Sequence, residues 1–252
     1  MTELTIHAWA TCAEFALAAI AFVALLVVSA PYGRYARPGW GPTLPAVLGW
    51  LAMELPAVVL FGVFFFTGRN RVAPAALVLL GLWQFHYLYR TFVFPLRMRD
   101  ADRRIPVLIP LLAIAFNTLN AYVNGRWIGQ FGTYAVGWLT DARFIVGAIV
   151  FLGGWVGHVH SDAVLRSLRR RGESGYVLPR GGLFRWVSAP NYLGEIVEWV
   201  GWAIATWSTA GLAFAVFTLA NLIPRALRHH VWYQARFPEY PTNRKALIPF
   251  VL

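Results

Sequence analysis

Glu54 stands in Met53-Glu54-Leu55-Pro56, near the middle of an apolar run, where an ionisable side chain is costly and carries a functional reading by default. A carboxyl desolvated at that depth favours its neutral form, which can donate a hydrogen bond or a proton. The plainer reading is a neutral Glu bonded to a neighbouring helix, with Pro56 kinking the backbone. Gln84, His86, Tyr87, Tyr89 and Arg90 cluster late in the next apolar run. His86 and Tyr87 are adjacent and point to different faces of a helix, whereas Gln84, Tyr87 and Phe94 lie near one face. On spacing alone Tyr87 reads as an interfacial belt residue, and Tyr89 and Arg90 as side chains that snorkel to headgroups.

Asn117 and Asn120 share a helix face; they suit a polar ligand or, as spacing favours, helix–helix glue. His158 and Asp162 also share a face while His160 turns away, and no HExxH is present, so these three do not read as a metal site. They suit hydrogen bonding to a ligand at the mouth of the bundle. Asn191, Glu195 and Glu198 form one polar stripe. Paired carboxylates raise the question of a metal, but a carboxylate-bridged pair wants a Glu-x-x-His repeat on other helices; none exists, and no metal is expected. GxGxxG after a strand, a P-loop and a GxSxG elbow are all absent. A nucleotide, if bound, is therefore not held by a Rossmann domain. Arg97, Arg99, Arg103, Arg169, Arg170, Arg171 and Arg225 offer guanidinium forks for phosphate instead, or are plain loop charge.

The elements that must position these groups follow from composition. Of 252 residues, 58% are hydrophobic and 13% charged, against roughly 45–50% and 25% in soluble domains. A bilayer is the implied solvent. A transmembrane helix takes about 20 apolar residues, and Ala10–Ala30, Pro45–Phe66, Ala73–Pro95, Ile105–Val123 and Phe144–Val164 qualify. The apolar region from Tyr192 to Leu222 breaks near Trp207-Ser208-Thr209-Ala210-Gly211, which makes two spans if the break is a tight turn, and seven in all. With seven, most of the 22 Lys and Arg residues collect on one side; Arg69, Arg71, Arg126 and Arg143 fall on the other and Arg90 inside a span. The positive-inside bias then puts the N-terminus outside and the C-terminus in the cytoplasm, and it explains the net charge of +11 without a nucleic-acid partner. Cys12 is the only cysteine, so no internal disulfide forms. The first nine residues lack the basic start of a cleaved signal peptide, so the first span is expected to stay. The expected fold is all-α, one polytopic membrane domain. The basic, glycine-rich stretch Arg166–Ser188 is its largest cytoplasmic loop, and Pro224–Leu252 packs on the cytoplasmic helix ends.

Two stretches go beyond generic patterning: RGGLFRWVSAPNYLGEIVEW (Arg180–Trp199), continued after Val200 by GWAIATW, and FPEYPTNRKALIPF (Phe237–Phe250). Together they closely resemble the C-terminal domain of the steroid 5α-reductase family, the 3-oxo-5α-steroid 4-dehydrogenases. Glu54-Leu55-Pro56 and HYLYRTFV (His86–Val93) resemble its N-terminal signatures, so the likeness covers essentially the whole chain. Its compactness resembles a bacterial member, lodged in the inner membrane with its cofactor site facing the cytoplasm. The resemblance implies NADPH-dependent reduction of the Δ4 double bond of 3-oxosteroids in a seven-helix bundle. The implied partners are a steroid or other enone lipid and the surrounding membrane lipids, with no obligate protein partner. Residues 1–104 would be the substrate-side helices and 105–252 the cofactor-binding part.

Carried over by motif, Glu54 and Tyr87 look like the pair that holds the substrate ketone. The cofactor positions look like Asn117, Asn120, His158, Asp162, Arg169, Tyr176, Asn191, Glu195, Glu198, Arg225, His229 and Tyr233. Met53 stands where the family commonly has Gln. Asp100 and Asp102 share the loop with Arg97, Arg99 and Arg103, which leaves open which arginine meets phosphate. The implied chemistry is physically consistent. Hydride addition at C5 of the enone builds negative charge on the C3 oxygen, and donors aimed at that oxygen in a dry site lower the barrier. A neutral Glu54 and the Tyr87 hydroxyl are such donors, while the nicotinamide supplies the hydride. Water or Tyr87 delivers the proton to C4. An isoprenylcysteine carboxyl methyltransferase-like protein, which binds S-adenosylmethionine, resembles the chain at NYLGE (Asn191–Glu195), and a non-catalytic sterol- or lipid-binding protein could keep the fold. Glu54-Leu55-Pro56 with His86-Tyr87 favours the reductase.

Overall fold

The computed structural model of the protein describes residues 1–98, 103–168 and 175–252. Its helices are α1 (Glu3–Val27), α2 (Ala46–Phe66), α3 (Pro74–Leu88), the single turn α4 (Phe94–Leu96), α5 (Leu108–Arg126), α6 (Ala142–Ser167), α7 (Pro190–Thr206) and α8 (Thr209–Arg236). Each expected apolar segment is helical. Five helices, α1, α2, α5, α6 and α8, are long and apolar enough to cross a bilayer, whereas α7 has 17 residues and α3 reaches α4 only through a π-helical turn, Tyr89–Val93. The architecture is thus an all-α, polytopic bundle. Strand β1 (Thr43–Pro45) pairs antiparallel with β2 (Arg104–Pro106), and Ala46 N–H donates to the Arg103 carbonyl at 2.8 Å, so this clip ties the starts of α2 and α5.

Helix ends follow local chemistry. Asp141 caps α6 by accepting from Arg143 N–H at 2.8 Å and also takes the Arg143 guanidinium, bonds that hold its carboxyl down to about 2. The break between α7 and α8 is a tight turn: Trp207 has φ 42 and the Ser208 hydroxyl accepts from Gly211 N–H, capping α8. One expectation is corrected here. The helix does not stop where its apolar run ends at Leu222, because α8 runs through Pro224 to Arg236. Proline forfeits a single i→i−4 bond, and the buried face continues past it through Ala226 and Tyr233.

Packing of α6 on α7 decides the site. Lipid supplies no hydrophobic force between helices, so close approach through small residues takes its place. Gly147 and Gly154 of α6 face Gly201 and Gly194 of α7; a Cβ at Gly154 would collide with the Glu198 backbone and one at Gly194 with that of His158. Helix α3 is stitched to α2 by Trp83 Nε1 donating to the Ala57 carbonyl and Gln84 Nε2 to that of Val58, both at 2.9 Å. Phe61, Trp83, Trp199, Trp202 and Phe214 form the aromatic core between them.

At the end opposite the arginine-rich loops, buried Arg126 binds Glu3 Oε1 at 2.7 Å, the Phe64 carbonyl at 3.3 Å and Thr67 Oγ1 at 3.2 Å. It clasps α1, α2 and α5 together. Arg126→Ala is expected to cost about 1–3 kcal/mol, seen as a lower melting temperature in detergent. The loss stays below the 3–5 kcal/mol or so of a broken buried pair because Glu3 is half exposed and can return to water.

Candidate active site

Glu198 is wholly buried where α7 meets α6. Its Oε1 lies 2.7 Å from His86 Nδ1 and its Oε2 lies 3.5 Å from His158 Nδ1. One helical turn on, Asp162 Oδ2 lies 3.3 Å from His158 Nε2, and Asn191 Nδ2 donates to Asp162 Oδ1 at 3.1 Å. Both ring nitrogens of His158 thus face carboxylates, which requires both to be donors or one carboxyl to be protonated. Arg90 extends the chain, with Nη1 4.0 Å from Asp162 Oδ2 and Nε 3.6 Å from Glu54 Oε1. Asn117 Nδ2 completes it, donating to Glu54 Oε2 at 3.4 Å and to the Met53 carbonyl at 2.6 Å. A single run of polar contacts therefore crosses α7, α6, α3 and its π turn, α2 and α5.

Tyr87 is buried against Trp83, His86 and Trp199. Its hydroxyl is within electrostatic reach of Glu54, Glu195 and Arg90, yet makes no hydrogen bond among the described residues. Glu195 is likewise unbonded among them and lies near Arg90, Arg225 and His158. His86, His158 and Glu198 each bring a ligand-type atom within 4.8 Å of the others. The short His86–Glu198 contact joins two of the three by a hydrogen bond.

At the arginine-rich end a cavity of about 170 Å³ opens between the segment after α1 and helices α7 and α8, lined by Tyr32, Arg34, Asn191, Tyr192, Arg225 and His229 among others. Arg225 donates to the Tyr32 hydroxyl and stands over the Tyr32 and Tyr192 rings at 5.2 and 5.3 Å. His229 stacks on Tyr35 at 5.6 Å. Arg34 Nη2 donates to the Tyr233 hydroxyl at 3.2 Å, while its buried Nη1 has no partner among the described residues. Tyr176 lies beside Arg34 and accepts from Arg103 at 3.4 Å. Asn191 belongs both to the cavity wall and to the polar run.

Comparison with known proteins decides what this arrangement belongs to. Residues 103–252 match the family model described as 3-oxo-5-alpha-steroid 4-dehydrogenase. The chain is 44% identical to 3-oxo-5-alpha-steroid 4-dehydrogenase 1 of Bos taurus over 95% of its own length and 94% of the relative's. It is 42% identical to Steroid 5-alpha-reductase DET2 of Arabidopsis thaliana over 91% of the chain and 90% of that relative. The chain belongs to the 3-oxo-5-alpha-steroid 4-dehydrogenase family.

For this family member the structure gathers the expected residues into two connected groups. Glu54, Tyr87, Asn117, His158, Asp162, Glu195 and Glu198 lie on or beside the buried polar run; Asn191, Arg225 and His229 line the cavity, and Tyr176 and Tyr233 contact its Arg34. Asn120 lies beside the first group, its Oδ1 accepting from Asn124 Nδ2 at 2.8 Å. Arg169 lies outside the described residues, as do Arg99, Asp100 and Asp102. Of the loop arginines that are described, Arg97 is exposed and Arg103 reaches Tyr176. Met53 contributes its carbonyl rather than its side chain.

Arg90 is a correction. Its side chain is only 14% exposed and lies over the Trp50 and Phe94 rings at 4.5 and 4.6 Å, so it does not snorkel. The π turn adds a residue to the helical repeat and brings the guanidinium between Glu54 and Asp162. Nothing in a 3.6-residue periodicity announces such a turn. His86 was singled out without a partner, and Tyr32, Arg34 and Tyr192 were missed because loop and helix-start residues carry no periodic signal.

Proposed function

We propose that this protein reduces the Δ4 double bond of 3-oxo-Δ4-steroids with NADPH, with Glu54 and Tyr87 binding the C3 ketone. The observation that carries this reading is the polar run linking Glu54 to Asn191, hence the ketone end of the site to the cavity. The residues present fit the dinucleotide: Arg34, with a buried unpartnered Nη1, and Arg225 suit phosphates, while Tyr32, Tyr192 and His229 offer ring faces. The cavity is small beside the roughly 300–1,000 Å³ of usual ligand sites; it would take part of the molecule, and residues 169–174, which follow α6, lie outside the described ones.

NADPH, when bound, supplies the hydride. Glu54 and the Tyr87 hydroxyl donate to the ketone oxygen, where negative charge collects as C5 is reduced. Asn117 and Arg90 hold the Glu54 carboxyl in place, and the Trp83–Trp199 wall keeps water from the oxygen. Water or Tyr87 protonates C4. Seven spans, with the N-terminus outside and the cavity facing the cytoplasm, fit the arginine distribution.

Anaerobic incubation of the purified protein with testosterone or progesterone should consume NADPH and yield the 5α-reduced ketone. No NADPH oxidation with any 3-oxo-Δ4 lipid sinks the assignment; methyl transfer from S-adenosylmethionine would replace it. Arg225→Ala should raise KM for NADPH about 10- to 100-fold, the worth of one or two charge-assisted hydrogen bonds, and move the steroid KM far less. Titration of NADPH fluorescence checks the first half directly.

A further inference from the structure

One carboxyl of the bundle interior stands apart from the polar run. Glu14 of α1 is wholly buried, and neither of its oxygens has a hydrogen-bond partner among the described residues. It shares the buried face of α1 with His7, Thr11 and Ala18. His7 Nε2 bonds the Val123 carbonyl of α5 at 2.8 Å and Glu3 bonds Arg126, which fixes α1 antiparallel to α5. From His7 to Glu14 is about 10 Å along α1; the same distance back along α5 from Val123 passes Asn120 and Asn117. Glu14 is thus level with the asparagine that donates to Glu54, and it is within electrostatic reach of the Tyr87 hydroxyl. Asn120, also wholly buried, has its Oδ1 bonded to Asn124, while its Nδ2 has no partner among the described residues.

Leucine at position 14 would serve a purely structural wall better, because a buried polar group without a partner only costs stability. Two unsatisfied groups at the depth of the ketone-binding pair point to a ligand atom. We propose that Glu14, with Asn120 Nδ2, is a specificity determinant that binds a second oxygen of the lipid substrate, a hydroxyl or carbonyl apart from the enone ketone. A neutral carboxyl donates and accepts, and an amide N–H₂ donates. A hydroxyl or a carbonyl satisfies them; bare hydrocarbon leaves both unpaired. This inference rests on the reductase reading above.

The test uses steroids matched except for one oxygen: androst-4-en-3-one and its 17β-hydroxy, 17-keto and 11β-hydroxy forms. Wild type should favour at least one oxygenated form over the parent by on the order of 10- to 100-fold in kcat/KM. Glu14→Leu should shrink that ratio to within about threefold, by losing the oxygenated substrate and not the parent. Glu14→Gln, which still donates and accepts, should keep most of it. Without substrate the Leu variant should melt at a higher temperature than wild type. The proposal is overturned if wild type reduces all four equally, a result that needs no variant, or if Glu14→Leu discriminates as wild type does. Failure of wild type to reduce any of them would instead overturn the reductase reading, and this proposal with it.

Discussion

Tyr87→Phe is expected to lower kcat for 3-oxo-Δ4-steroid reduction by about 10²–10³-fold, the usual cost of one donor to a developing oxyanion, with NADPH affinity and fold intact. The fold survives because the Tyr87 hydroxyl makes no hydrogen bond among the described residues, while its ring packs on Trp83, His86 and Trp199; phenylalanine keeps that packing. Glu54→Gln should cost less, since an amide still donates, and Glu54→Leu more, since it also removes one carboxylate of the buried Arg90 ion pairs. Stopped-flow single turnovers at saturating NADPH separate this outcome from a protein that merely binds sterols, where the variants would weaken affinity and no turnover would exist to lose. A Tyr87→Phe kcat within about threefold of wild type would remove the hydroxyl from the mechanism.

Gly194→Leu should leave no folded protein to assay. Its side chain would enter the His158 backbone, and backbone cannot give way as a flexible side chain can. Overpacking of this kind costs about 1–3 kcal/mol alone. Forcing α7 off α6 also parts Glu198 from His158, and a broken buried pair adds about 3–5 kcal/mol. The sum approaches the whole stability of an ordinary domain. Gly153→Leu, on α6 but exposed and with open space around it, is the control; helix propensity makes it neutral or slightly stabilising, by under about 1 kcal/mol. Thermal unfolding of both variants in detergent, followed by size-exclusion, decides the matter. Equal melting temperatures would contradict the glycine interface.

Much of this site could be named from the chain before any contact was known, because hydrocarbon makes every ionisable residue conspicuous. That rule found Glu54, His158, Asp162, Glu195 and Glu198. It could not pair them: His86 and Glu198 are 112 residues apart, and helical periodicity assigns a residue to a face without saying which helix that face meets. The same rule applies to Glu14, which lies within the first apolar run. Local signals fared unevenly. The Trp207–Gly211 break was legible because turn chemistry is written in adjacent residues, whereas the helix beyond Leu222 was not, because its apolar run ends there while the helix continues to Arg236. Arg90 was misjudged because a π turn depends on what the helix packs against.

Arg90 touches Glu54 with one nitrogen and Asp162 with another, and Asp162 holds the Asn191 of the cavity wall. With the steroid at Glu54 and the nucleotide in the cavity, as proposed above, one cation takes part in the free energy of both ligands. A steroid ketone that draws on Glu54 changes how firmly Arg90 is held at Asp162, and by thermodynamic reciprocity occupancy of the cavity must change steroid affinity by the same factor. Steroid and nucleotide constants measured one at a time would then describe states the working enzyme visits only in passing.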